Sequence, residues 1–289
     1  MKAEVLRVVA AITLVGACVQ AQAVPFSADF TVTGDNSGGR SFDADFAVSP
    51  TENFTLDVGA GQSTGSDETG NLKGTLANAG ASLHGDRGGF SLGYDLFDDG
   101  SNYRATTIGG RAWINAGDFE FALLGRRRDL AVGLTLALPL RTVNREVDFS
   151  AVGAGLQVTY TGENWTAYAM GLKYDYDDDF DNFIALINSP ELAQRPVIEA
   201  LVGSFVTQSQ GAIDRQAGIG IERSFGRHSL ALDVASVHDA ILDSGSASAA
   251  ITWRYSQSSH VDWSLSGGMV DSDAYGNIGF LSIGVGLTR

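Results

Sequence analysis

A chain of 289 residues with 44% apolar side chains and a formal charge of −15 is long enough for one large domain or two ordinary ones. The acidic balance repels phosphate backbones and argues against nucleic acid as a partner. Cys18 is the sole cysteine, which excludes an intrachain disulfide and a thiolate metal site.

Residues 1–23 read as a secretory signal peptide. Lys2 and Arg7 form a basic region, Val8 to Ala17 an apolar run too short to span a bilayer, and Ala21-Gln22-Ala23 a small-residue cleavage site. An alternative reading takes Val15-Gly16-Ala17-Cys18 as a lipoprotein cleavage box, with Cys18 as the lipidated N-terminus. Beyond residue 23 no run of 18 or more apolar residues occurs, so the sequence predicts no membrane-spanning helix.

From Phe26 onward the pattern has a period of two, the mark of strands with unlike faces. Phe26, Ala28, Phe30, Val32 are followed across Gly34 to Gly39 by Phe42, Ala44, Phe46, Val48, with Asp29, Asp43 and Asp45 on the other face. Phe54, Leu56, Val58, Ala60 come next and lead into a polar loop read over 62–70. A weaker alanine- and glycine-rich strand covers 72–83. Phe90, Leu92, Tyr94, Leu96 and then Ile108, Gly110, Ala112, Ile114 alternate with polar residues. A short run of Phe119, Phe121, Leu123 is interrupted by Arg126-Arg127-Arg128-Asp129 before Leu130, Val132, Leu134, Leu136, Leu138.

Residues 147–176 give the clearest hairpin, turning at Gly162-Glu163-Asn164. In its first arm Val152, Ala154, Leu156, Val158, Tyr160 oppose Ala151, Gly153, Gly155, Gln157, Thr159. In its second, Tyr168, Met170, Leu172, Tyr174 oppose Ala167, Ala169, Gly171, Lys173, Asp175. Residues 177–211 break the alternation and read as a long loop carrying one or two short helices. Strands resume at 216–223, 230–234, 249–255, 261–266 and 281–288.

This gives fifteen candidate runs, whereas single-chain bacterial barrels have an even number of strands. Merging or deleting one between residues 118 and 140 leaves 14, with 12 as the alternative. The predicted fold is all-β: one closed antiparallel transmembrane β-barrel over 24–289, with the insertion at 177–211. Many runs reach the roughly 9 to 11 residues that cross hydrocarbon at a tilt, and closure satisfies backbone groups that lipid cannot. Trp165, Tyr168, Tyr174, Trp253, Tyr255 and Trp263 fit aromatic girdles.

On these residues the sequence resembles the bacterial outer-membrane β-barrels over 26–288, as a porin-like class without a specific subfamily. The class commonly ends on an aromatic residue, from which Leu287-Thr288-Arg289 departs. The resemblance implies an outer-membrane location, lipid contact and no cofactor.

The inward set then carries the function. We expect Asp57, Asp95, Arg111, Lys173, Asp175, Glu222, Asp233, Arg254 and Asp262 to line the lumen and act as an electrostatic filter, together with Asp29, Asp43 and Asp45. This predicts a passive channel for small cationic or neutral solutes. The alternative is a structural, adhesive or assembly barrel with a closed interior. An embedded lipid hydrolase ranks below both: His84, His228, His238 and His260 are scattered, and His260 beside Asp262 is only a sequence neighbourhood. Asp177 to Asp181 offers carboxylates to calcium without the spacing of a calcium loop. No catalytic or metal residues are expected.

Overall fold

The computed structural model describes residues 24–289 except 68–69, 101–102, 139–140, 181–211, 242 and 274–275. The expected signal peptide and Cys18 lie outside the described residues, as do the helices expected within 181–211.

Alternation becomes fourteen antiparallel strands: β1 (Phe26–Asp35), β2 (Arg40–Thr51), β3 (Phe54–Asp67), β4 (Gly70–Gly85), β5 (Gly88–Asp98), β6 (Tyr103–Ala116), β7 (Phe119–Leu138), β8 (Arg141–Thr161), β9 (Trp165–Tyr176), β10 (Ile213–Phe225), β11 (His228–Asp239), β12 (Ser244–Ser258), β13 (Val261–Ser272) and β14 (Gly276–Thr288). Each pairs with its sequence neighbours, and β14 closes on β1 through pairs such as Phe30 with Val285 and Val32 with Ile283. Closure leaves no sheet edge, so every strand finds backbone partners on both sides.

One rim carries the start of β1, the end of β14 and tight connections at 52–53, 86–87, 117–118, 162–164, 226–227 and 259–260. Gly117 (φ 62°) and Gly226 (φ 64°) take left-handed conformations in two of these turns, where a Cβ would strain the backbone. The opposite rim carries the 177–212 connection and the ends of the longest hairpins. In barrels of this architecture short turns face the periplasm and longer loops the exterior, which orients the chain.

The fifteenth run resolves as one strand. β7 continues through Arg126-Arg127-Arg128-Asp129 without a break, pairing residue by residue with β6 and β8. With 20 and 21 residues, β7 and β8 are far longer than a bilayer crossing needs, so their upper parts rise beyond the apolar belt. The polar loop read over 62–70 is likewise mostly strand, since β3 and β4 pair up to Asp67 and Gly70.

The outer wall is apolar and accessible. Ile114, Leu123 and Val152 are each 63–64% exposed, and Ile219, Ile251, Leu281 and Ile283 stand out on the same side. In water such a surface would be a large aggregation patch, whereas in hydrocarbon it is the ordinary solvent-facing side. Trp165, Trp253 and Trp263 mark its short-turn border.

Packed residues collect inside, toward the loop end. Phe97, Tyr103, Leu130, Val132 and Phe149 are buried there with Phe180 and Ala212, the residues at which the 177–212 connection leaves and re-enters the wall. Phe180 sits 5.0 Å from the Phe149 ring and 4.2 Å from the Tyr176 ring. β7 thus changes phase: Phe119, Phe121 and Leu123 face lipid below, while Leu130 and Val132 face inward above.

Candidate functional site: the lumen wall

Because paired residues share a face, the register sorts the expected lumen residues. Asp57, Asp95, Arg111, Glu222, Asp233, Arg254 and Asp262 all lie on the face opposite the exposed apolar row, hence inside. Asp29, Asp43 and Asp45 do too.

Lys173 and Asp175 do not. Lys173 pairs with Ala154 and Arg215, and Asp175 with the outward Val152, so both stand on the outer wall near the loop rim. The buried residues of that strand are Leu172 and Tyr174, which point inward. Tyr168 and Tyr174 therefore leave the expected girdle. The Tyr168 hydroxyl donates to Asp233 (2.9 Å), and Tyr174 lies under the Arg128 guanidinium, 5.6 Å from ring centroid to Cζ. The reason is local: Leu156 and Val158 on one side and Ile219 and Ile221 on the other already supply the apolar outer rows, between which β9 sets the small residues Ala167, Ala169 and Gly171.

The acidic residues are arranged as an arc. Along one line of cross-strand pairs run Asp262, Gly286, Asp29, Asp45, Gly59, Asn78, Asp95, Thr107 and Arg128. Asp29 and Asp45 are direct neighbours, a like-charge pair that costs stability unless water or cations screen it. Asp29, Asp45 and Asp57 are exposed to the lumen water, which supplies that screening.

Glycines make room for the arc. A Cβ at Gly80 would come 2.5 Å from an Asp57 carboxylate oxygen and one at Gly286 would come 2.7 Å from Asp29, while Gly59 and Gly61 lie in the same way under Asp45 and Asp43. The carboxylates thus lie flat over bare backbone on the next strand. Gly80→Leu should push the Asp57 side chain away from the wall and lower single-channel conductance, with the barrel still folding; unchanged conductance would show that the glycine has no part in lumen width.

Inward positive charge stands mainly at the two ends of this arc, on β6 and β7 and on β12. Arg126 and Arg128 lie inward on β7, beside Gly109 and Thr107 of β6; both sit in the run read as an interruption and so were missed as lumen residues. Arg111 pairs with Glu120 and covers the Trp113 ring at 4.6 Å. Arg254 donates to Glu222 at 2.7 Å. These two ion pairs lie toward the short-turn end, and among the described residues Asp29, Asp43, Asp45 and Asp57 form none.

The four histidines lie apart from one another, each with its own partners. His84 contacts the Ser82 hydroxyl (2.8 Å), His228 stacks in an outer aromatic row, His238 lies between Asp214 (2.8 Å) and Asp243 (3.5 Å), and the His260 ring meets the Thr288 carbonyl rather than Asp262. No group of three or more His, Cys, Asp or Glu residues that could hold a metal occurs among the described residues.

Of the acidic run, Asp177 is committed to a structural role and Asp181 lies outside the described residues. Burial pushes the Asp177 carboxyl up, but hydrogen bonds from the Ser150 hydroxyl and amide and the Phe180 and Asp179 amides outweigh it and hold the pKa below the usual carboxylate range. A lowered folded-state pKa means a contribution present above the unfolded value and lost as pH falls through the folded one. Asp177→Asn should therefore weaken hydrogen-exchange protection of the Ser150 and Phe180 amides at neutral pH, with wild type and variant converging in acid. A gap that persists at low pH would refute this.

A closed fourteen-strand wall, apolar outside and charged within, defines a membrane β-barrel of the bacterial outer-membrane class. The likeness extends to solved structures: OmpT of Vibrio cholerae, expressed in the outer membrane, matches with a TM-score of 0.52 at 8% identity over 92% of this chain and 97% of that one. OccK8 (OprE) of Pseudomonas aeruginosa matches with a TM-score of 0.46 at 10% identity over 92% and 97%. At such identities the likeness is one of fold. No family model matches the sequence, and no curated protein matches it.

Proposed function

We propose that this chain is a passive outer-membrane channel that favours small cationic or neutral solutes over anions. The observation that carries this reading is the water-exposed arc of Asp29, Asp45 and Asp57, continued by Asp43 and Asp95 and unmatched by an equal number of inward arginines. A row of like charges on a low-dielectric wall concentrates counter-ions and repels anions. The test is a planar bilayer with the purified chain under a potassium chloride gradient: discrete openings and a cation-sided reversal potential are expected, and silent bilayers or anion selectivity refute the proposal.

A second reading, a barrel with a closed interior and a structural or adhesive role, draws on the apolar cluster of Phe97, Leu130, Val132, Phe149 and Phe180 at the loop end. The two readings separate on one variant. If the insertion rooted at Phe180 and Ala212 narrows a conduit, deleting residues 182–206 raises conductance. A barrel that stays electrically silent after the deletion favours the closed interior.

A further inference from the structure

On the outer wall near the short-turn rim, Trp165, Ile221, Leu230, Leu232 and Ile251 line an apolar groove of about 630 Å³, bordered by Phe225 and Arg223. Register makes the arrangement regular. Trp165, Arg223, Leu230 and Trp253 form one outward row, and Ile221, Leu232 and Ile251 the row deeper in the belt. Arg223 stands in an otherwise aromatic and apolar row, at the level where hydrocarbon gives way to head groups. Its guanidinium lies 4.9 Å over the Trp165 ring and, among the described residues, forms no ion pair. Arg227 in the adjacent turn donates to the Gln257 carbonyl (3.5 Å) and, among the described residues, forms no ion pair. Glu222, the nearest carboxylate in sequence, points into the lumen and is engaged by Arg254. The acidic residue in the neighbouring turn, Glu163, is exposed to solvent.

A guanidinium bordering a hydrocarbon-lined groove, with a second arginine in the adjoining turn, has a specific complement: a phosphate and its acyl chain. A zwitterionic head group brings its own cation, while a net-negative one leaves the charge of both arginines to be matched. The short-turn rim faces the periplasm, so the lipid would come from the periplasmic leaflet. We propose that this groove is a binding site for a phospholipid with a net-negative head group, its phosphate at Arg223 and Arg227 and one acyl chain along Leu230 and Leu232. With its guanidinium held over the Trp165 ring, Arg223 keeps its charge beside the head-group level, as long cationic side chains do at interfaces.

The probe is phosphatidylglycerol with a brominated acyl chain, a contact quencher of tryptophan. The full mature chain carrying Trp113→Phe and Trp263→Phe retains Trp165 and Trp253, which flank the groove. Reconstituted into phosphatidylcholine bilayers containing a small fraction of brominated phosphatidylglycerol, it should be quenched several-fold more than with brominated phosphatidylcholine at the same fraction. Arg223→Gln with Arg227→Gln should bring the two lipids level, and Lys173→Gln at the other rim should change nothing. Leu230→Phe, which fills the groove but keeps both arginines, should also abolish the preference. Equal quenching in the unsubstituted groove overturns the proposal. So does a preference that survives Leu230→Phe, which would be surface attraction alone, or cross-linking that shows a second copy of this chain seated on the groove.

Discussion

Replacing Asp29, Asp45, Asp57 and Asp95 together by asparagine should reduce the cation-to-anion permeability ratio by about tenfold, since a charge-lined cleft raises local counter-ion concentration by at least that factor. The size of the effect follows from the arrangement. Asp29 and Asp45 are direct cross-strand neighbours, about 5 Å apart, so their potentials overlap within a Debye length of about 10 Å at 0.1 M salt, and Asp95 extends the same line of pairs. The selectivity should therefore weaken steeply as salt rises in the native chain and become nearly independent of salt in the variant. Thermal stability should hold or rise, because Asn relieves the repulsion while keeping the size of each side chain. The reciprocal change, Arg126→Gln with Arg128→Gln, should deepen cation preference. If the acidic variant keeps the native reversal potential, the arc does not set selectivity and the channel is filtered elsewhere.

How much of this was legible before folding varies along the chain. In β1 and β2 the apolar parity is uniform, and there and over Phe90–Leu96 and Leu281–Leu287 each residue assigned to lipid or lumen from alternation lies where expected. β7 was harder because its apolar parity switches. Phe119, Phe121 and Leu123 face lipid, but above the belt the outside is wet, so Arg127 and Asp129 occupy the outer positions and form an ion pair (3.3 Å) while Leu130 and Val132 turn into the packed cluster under Phe180. A window that asks for one constant phase sees a break there, although residues 126–129 contain neither a turn-forming pair nor a proline. Following parity through that run would have assigned Arg126 and Arg128 to the lumen.

β9 failed for a different reason. The two faces were sorted correctly, Leu172 and Tyr174 against Lys173 and Asp175, but alternation cannot say which face meets lipid when one is large and the other small with charged ends. Only pairing with β8 and β10 decides it, since Val152 and Leu156 fix the outside. The error is also informative about depth. Lys173, Asp175 and Arg215 stand outside at the loop rim, so the apolar belt ends below them.

That depth gradient sets the other large expected effect. Ile219 stands 59% exposed near the middle of β10, with Ala169 and Val234 beside it on the outer wall. Ile219→Arg should destabilise the barrel in lipid by about 2–4 kcal/mol, the cost of an arginine at the bilayer midplane, whereas a charge near the interface costs about 0–1 kcal/mol. Lys173→Leu, at the rim, should accordingly change stability by no more than that smaller amount, although it removes a charge from the same outer face. Gly220, one residue along, faces the lumen beneath Asp233 and Tyr168, so the contrast between Ile219→Arg and a lumen charge change such as Asp57→Asn isolates which side of the wall is hydrocarbon. Reversible unfolding of the three variants in lipid vesicles gives the comparison directly. Should Ile219→Arg be tolerated as well as Lys173→Leu, the outer wall is not in hydrocarbon at that depth. The inward carboxylates would then no longer be the side that needs water, and the electrostatic account of the lumen would lose its basis.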